Sequence, residues 1–150
     1  MKDVRRPVSH RQAVVSAIIP CLDEEAAIGQ VVAAVLAQSV SEVIVVDGGS
    51  CDRTAERAEV AGARVIVEPR RGYGRAVQAG IAAVCDDADI LVFLDGDGSD
   101  PPEFISDLVS PIVAAQAAFV LGSRVRGWRE PGSLAPQQLL AAYVGRLLLR

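Results

Sequence analysis

Residues 43–54 read Val-Ile-Val-Val-Asp-Gly-Gly-Ser-Cys-Asp-Arg-Thr. Four apolar β-formers end in a carboxylate, two glycines and a serine, and a helical pattern follows over 52–61. A short run that is apolar on both faces is a strand covered on each side, the environment of a parallel sheet under helices. Working outward from this unit, the same alternation recurs. Residues 14–19, 42–46, 63–67, 90–94 and 118–121 read as strands. Residues 25–38, 52–61, 74–85 and 101–115 read as helices, the last with Asp100 as its expected cap and Pro101 and Pro102 in its first turn. A βαβαβαβαβ order with right-handed crossovers predicts a three-layer α/β/α fold with a mostly parallel sheet.

Composition narrows the chemistry. The chain has 150 residues, is 51% hydrophobic and 23% charged, and carries a formal net charge of −4. That suits one domain with a real core and excludes disorder. No apolar stretch reaches about 20 residues, so no span is expected. The acidic balance argues against nucleic-acid partners. His10 is the only histidine and Lys2 the only lysine, which excludes Ser-His-Asp and Cys-His catalysis, multi-histidine zinc sites, P-loop lysines and Schiff bases. Cys21, Cys51 and Cys85 show no CxxC spacing and read as reduced thiols of a cytoplasmic protein. Residues 1–12, with Lys2, Arg5, Arg6 and Arg11, read as a flexible tail ahead of a domain over 13–150. The chain closes with a polar loop at 122–136 and an amphipathic segment at 137–150. Leu139, Leu140, Tyr143, Val144, Leu147 and Leu148 form one face of that segment, which is expected to pack on the sheet, or else to dock on a membrane surface or a second copy.

In parallel α/β sheets, ligands bind beyond the carboxyl ends of the strands, where strand order reverses. Each expected strand is followed there by a polar cluster. Asp95-Gly96-Asp97 puts two carboxylates two residues apart at a strand end, a hard oxygen pair suited to Mg²⁺ or Mn²⁺. A calcium loop starting at Asp95 is excluded, because Asp100 and Ser106 stand where Gly and Glu are required. Asp47 could accept hydrogen bonds from a base or a ribose, whereas helix capping alone accounts for Ser50 and Asp52. Arg70, Arg71 and Arg75 flank Gly72-Tyr73-Gly74 at a helix start, a combination that attracts an anion. Their glycine spacing is not the dinucleotide fingerprint GxGxxG. Arg124 adds a guanidinium at the same rim.

In order and spacing, five segments resemble glycosyltransferase family 2 domains of the GT-A fold, particularly the dolichyl-phosphate-mannose-synthase-like branch. They are IIPCLDEE (18–25), VIVVDGGSCDRT (43–54), EPRRGYGRAVQAG (68–80), LVFLDGDGSDPP (91–102) and VLGSRVRG (120–127). The resemblance implies transfer of a sugar from a nucleotide-diphospho-sugar to an acceptor such as a polyprenyl phosphate, with inversion at the anomeric carbon. It implies that Pro20, Leu22, Glu24, Val45 and Asp47 hold the nucleoside. Asp95 and Asp97 would bind Mg²⁺ or Mn²⁺, with Gly96 beside the nucleotide and Arg124 at the donor phosphates. Asp95, Asp97 and Arg124 would be the catalytic set, and Arg70, Arg71, Gly72 and Ser99 complete the nucleotide-sugar-binding set. The implied setting is the cytoplasm, with membrane-peripheral placement for a lipid acceptor. The chain departs from the family pattern at Ser99, where the branch commonly carries Gln, and at Ala141-Ala142 in place of Gly-Asn. It also ends at Arg150, before the part that shapes the acceptor side in relatives. The alternative expectation is a donor-binding module that needs a partner chain.

Overall fold

The structure is a computed structural model and describes residues 12–122. In chain order these form β1 (Val15–Cys21), α1 (Ile28–Leu36), β2 (Glu42–Asp47), α2 (Thr54–Val60), β3 (Arg64–Val67), α3 (Tyr73–Ala83) and β4 (Ile90–Phe93). A single 3₁₀ turn, Pro102–Phe104, leads into α4 (Ile105–Val113). The four strands are all parallel and lie in the order β3-β2-β1-β4. Ile18 pairs with Ile44 on one side and Phe93 on the other.

Alternation along the strands divides the core between two layers. Ala17, Ile19, Val43, Val45 and Val92 face α1, α2 and α4, where Val32, Val35, Ala58 and Ile105 are buried. Ile18, Ile44 and Val46 face the other way, onto Ala76 of α3. Helices on both faces of a parallel sheet make the three-layer fold that the sequence predicts. The α3 layer sits very close, because a Cβ on Gly80 would lie 2.4 Å from Ile18 Cγ2 and 3.1 Å from Val46 Cγ2. Only glycine permits that approach.

The expected strand at 118–121 does not form. The chain leaves α4 through Ala115, at φ 56°, and 118–121 is irregular, with Phe119 and Leu121 largely exposed. A four-residue apolar run becomes a strand only where a neighbouring strand takes its backbone hydrogen bonds. α1 starts at Ile28, later than its pattern suggests, and ahead of it the amides of Glu24 and Glu25 donate to the side chains of Thr54 and Asp52. The residue capping the Pro102 turn is Pro101. The Asp100 carboxylate instead accepts the Asp95 N–H at 3.0 Å.

By its contacts the chain divides into Met1–Phe119 and Val120–Arg150. The sheet belongs to the first unit. Residues 1–11 of the expected tail, Arg124 and the amphipathic segment at 137–150 lie outside the described residues. No helix among the described residues is long and apolar enough to cross a membrane.

Candidate active site

Strand order reverses between β1 and β4, and a cavity of about 330 Å³ opens at their carboxyl ends. Pro20, Cys21, Leu22 and Glu24 line it from the end of β1, and Gly48 from the end of β2. Glu68, Arg70, Arg71, Gly72, Tyr73 and Ala76 contribute the wall from the β3–α3 loop and α3. Asp95, Gly96 and Asp97 close it from the end of β4.

The structure therefore brings together nine residues singled out in the sequence: Pro20, Leu22, Glu24, Arg70, Arg71, Gly72, Asp95, Gly96 and Asp97. Three others stand elsewhere. Val45 is fully buried in the α1-side core, and Ser99 is exposed outside the cavity. Asp47 is only 4% exposed and does not line the cavity; its carboxylate accepts the Ser50 N–H at 3.2–3.3 Å and the Ser50 hydroxyl. Burying a carboxylate demands such partners. Asp47 thus ties down its own loop, and Gly48 after it lines the cavity.

The lining residues to which sequence reasoning gave no binding role are Cys21, Glu68, Tyr73 and Ala76. Glu68 stands two positions before Arg70, and that spacing was its one available signal. Its carboxylate receives Arg70 Nε at 2.8 Å, Arg70 Nη2 at 2.6 Å and the Arg70 N–H at 3.0 Å. These bonds, and then the positive charge, hold Glu68 down to about 2 and push the Arg70 guanidinium up. Two of the Arg70 guanidinium nitrogens are thereby held by Glu68, while its Nη1 donors make none of these bonds and Arg70 still lines the cavity. Arg71, exposed at the same wall, forms no ion pair among the described residues.

The opposite wall is acidic. Burial, followed by the charges of Asp97, Asp52, Asp23 and Asp95, raises Glu24 above the ordinary carboxylate range. Burial, followed by Asp95 and Asp100, likewise raises the Tyr73 phenol. Burial pushes the Cys21 thiol up to about 12, helped by Asp47, Glu24 and Asp52. Among the described residues, the charged groups lining the cavity are Glu24, Glu68, Asp95 and Asp97 with Arg70 and Arg71. Carboxylates gathered in this way attract a divalent cation.

The donor set fits a hard cation that brings its own water. Asp95 and Asp97 are two carboxylates on one loop, with the Ser99 N–H donating to Asp97 Oδ1 at 2.8 Å and Gly98 at φ +79° making the turn between them. Among the described residues no three His, Cys, Asp or Glu side chains converge as a complete metal site. Mg²⁺ or Mn²⁺ suits a pair of this kind, because each takes remaining ligands from water and phosphate.

Comparisons with known proteins agree with this fold. A glucosyl-3-phosphoglycerate synthase of Mycolicibacterium smegmatis is 35% identical over 119 residues, covering 71% of this chain and 39% of that protein. A glycosyltransferase of Mycobacterium tuberculosis is 42% identical over 98 residues, covering 63% of this chain and 43% of that protein. Among solved structures, glucosyl-3-phosphoglycerate synthase from M. tuberculosis in complex with Mn²⁺, UDP-glucose and phosphoglyceric acid superposes with a TM-score of 0.61 at 33% identity. That match covers 69% of this chain and 40% of the other. The same enzyme with Mg²⁺ and UDP gives 0.59 at 34% identity, covering 67% and 40%. The chain thus spans about two-fifths of the length of these relatives. Residues 16–147 match glycosyl transferase family 2, and the chain belongs to that family.

Proposed function

We propose that this chain is a glycosyltransferase that takes a sugar from a nucleoside-diphospho-sugar and passes it to an acceptor; the alternative is a donor-binding module that needs a partner chain. One observation carries the reading: Asp95 and Asp97 line the cavity at the β1/β4 switch point, facing the Leu22–Glu24 loop and Arg71. Leu22, Gly48 and Glu24 would receive the nucleoside. Asp95 and Asp97 would hold Mg²⁺ or Mn²⁺, which when bound offsets the charge gathering on the departing diphosphate. Arg71 would add its charge to the same phosphates, a role that the family resemblance also implies for Arg124. The C–O bond to the diphosphate breaks through an oxocarbenium-like state, and the electron pair leaves with the phosphate oxygen. The family resemblance implies inversion, which the anomer of the product, read by NMR, decides.

The donor and acceptor are read from relatives. Glucosyl-3-phosphoglycerate synthase is crystallised with UDP-glucose and phosphoglyceric acid. A UDP-sugar is therefore the donor to test first, and a small phosphorylated hydroxy acid the acceptor. The polyprenyl phosphate expected from the sequence draws no support from these relatives.

The test separates binding from turnover. Calorimetry with UDP, with and without Mn²⁺, is expected to give binding that requires the metal. UDP-glucose with Mn²⁺ and phosphoglycerate is then followed for UDP release. Metal-independent UDP binding, or none, overturns the reading. Binding without release, with either acceptor present, favours the donor-binding module.

A further inference from the structure

The loops after β1 and β2 hold each other through hydrogen bonds that run in both directions. The Glu24 N–H donates to Thr54 Oγ1 at 2.8 Å and the Glu25 N–H to Asp52 Oδ2 at 3.1 Å. In return, Asp23 Oδ1 accepts the Cys51 N–H at 2.8 Å and Glu25 Oε2 the Arg53 N–H at 3.1 Å. Thr54 lies at the centre of this clasp. It is fully buried at the first residue of α2, and its hydroxyl also donates to Asp52 Oδ1. Asp52 accepts the Thr54 N–H at 2.9 Å as well, so one carboxylate organises both loops.

Of the clasp residues, only Glu24 lines the cavity. Its amide precedes α1 and has no helical carbonyl to bond, so the direction of its side chain depends on what receives that N–H. We propose that Thr54 is a positioning residue, whose hydroxyl holds the Glu24 amide and so aims the Glu24 carboxylate into the donor cavity beside Asp95 and Asp97. The inference rests on the donor reading above. Its physical content is preorganisation: a loop ordered by its own clasp on folding does not have to be ordered again when the ligand arrives.

Two variants of the full chain separate positioning from plain structure. Thr54→Val keeps the branched shape and removes the hydroxyl, leaving the Glu24 N–H unpaired. Thr54→Ser keeps the hydroxyl and removes a methyl from a fully buried position. Thr54→Val is expected to raise the Kd for UDP with Mn²⁺ about ten-fold in calorimetry. Thr54→Ser is expected to lower Tm while its Kd stays within about two-fold of wild type. Amide exchange without ligand is expected to find Glu24 protected in wild type and Thr54→Ser, and unprotected in Thr54→Val. The proposal is overturned if affinity tracks Tm across both variants, or if the wild-type Glu24 amide exchanges freely. Wild type that binds no UDP overturns the donor reading, and the exchange measurement still decides whether Thr54 holds Glu24.

Discussion

The Cβ of Cys21, at the end of β1, lies so close to Gly96, just past β4, that a Cβ added to Gly96 would sit 2.9 Å from it. The next neighbour, Ile28 Cδ1, would be 3.5 Å away. The loop bearing Asp95 and Asp97 is thereby pressed against the strand whose own loop carries Leu22 and Glu24. Both Cys21 and Gly96 line the cleft.

Gly96→Ala is therefore expected to cost about 1–3 kcal/mol through overpacking, read from denaturant midpoints. Cys21→Ala keeps the offending Cβ and offers no relief, whereas Cys21→Gly does. In a double-mutant cycle the Gly96→Ala penalty should shrink in the Cys21→Gly background. An unchanged penalty would mean that the strain lies elsewhere.

Asp97 is exposed, so Asp97→Ala should leave Tm within a few degrees of wild type. If the cation site is assigned correctly, this substitution removes the Mn²⁺ dependence of UDP binding in calorimetry. Persistence of that dependence would reject Asp97 as a ligand.

The Glu68–Arg70 pair makes a prediction about acid stability. Glu68 is held at about 2 in the folded chain, below its ordinary 4.5. Its contribution to stability is complete above pH 4.5 and is lost as pH falls through 2, because the unfolded chain takes up the proton first. Glu68→Gln should flatten the fall in unfolding free energy between pH 4.5 and 2. An identical slope in the two proteins would show that the carboxylate is not held as the geometry indicates.

The three cysteines should divide by reactivity. Cys51 and Cys85 are exposed, while Cys21 is buried, its thiol pushed up to about 12 and directed to the Val46 carbonyl oxygen at 3.7 Å. Native protein at pH 8 is expected to react with two equivalents of a thiol reagent, and unfolded protein with three. Three rapid equivalents in the native state would contradict the burial of Cys21 beside the cleft.

Much of this architecture was legible in the residues. The apolar run at 43–46 and the glycines after Asp47 announce a buried strand and a turn, because both signals are local. The run at 118–121 carried a similar signal and failed, since a strand also needs a neighbour. Asp47 illustrates the same limit at the site. Its place after a strand marked it for a ligand, but its carboxylate is only 4% exposed and satisfied by Ser50. Arg70 was legible as a cation at the rim, but not that Glu68 holds two of its guanidinium nitrogens. Thr54 gave no sign at all, because its partner amide is 30 residues away.

By itself, the order of amino acids determined that strands and helices alternate and that polar clusters follow the strands. Period and turn chemistry act within a few residues, so they can be read along the chain. Only the tertiary structure decided that β1 lies between β2 and β4, and hence that Glu24, Arg71, Asp95 and Asp97 face one cleft. It also decided that Asp52 receives the Glu25 N–H and Glu25 the Arg53 N–H, because groups 27 and 28 residues apart come within hydrogen-bond reach only once the sheet has formed.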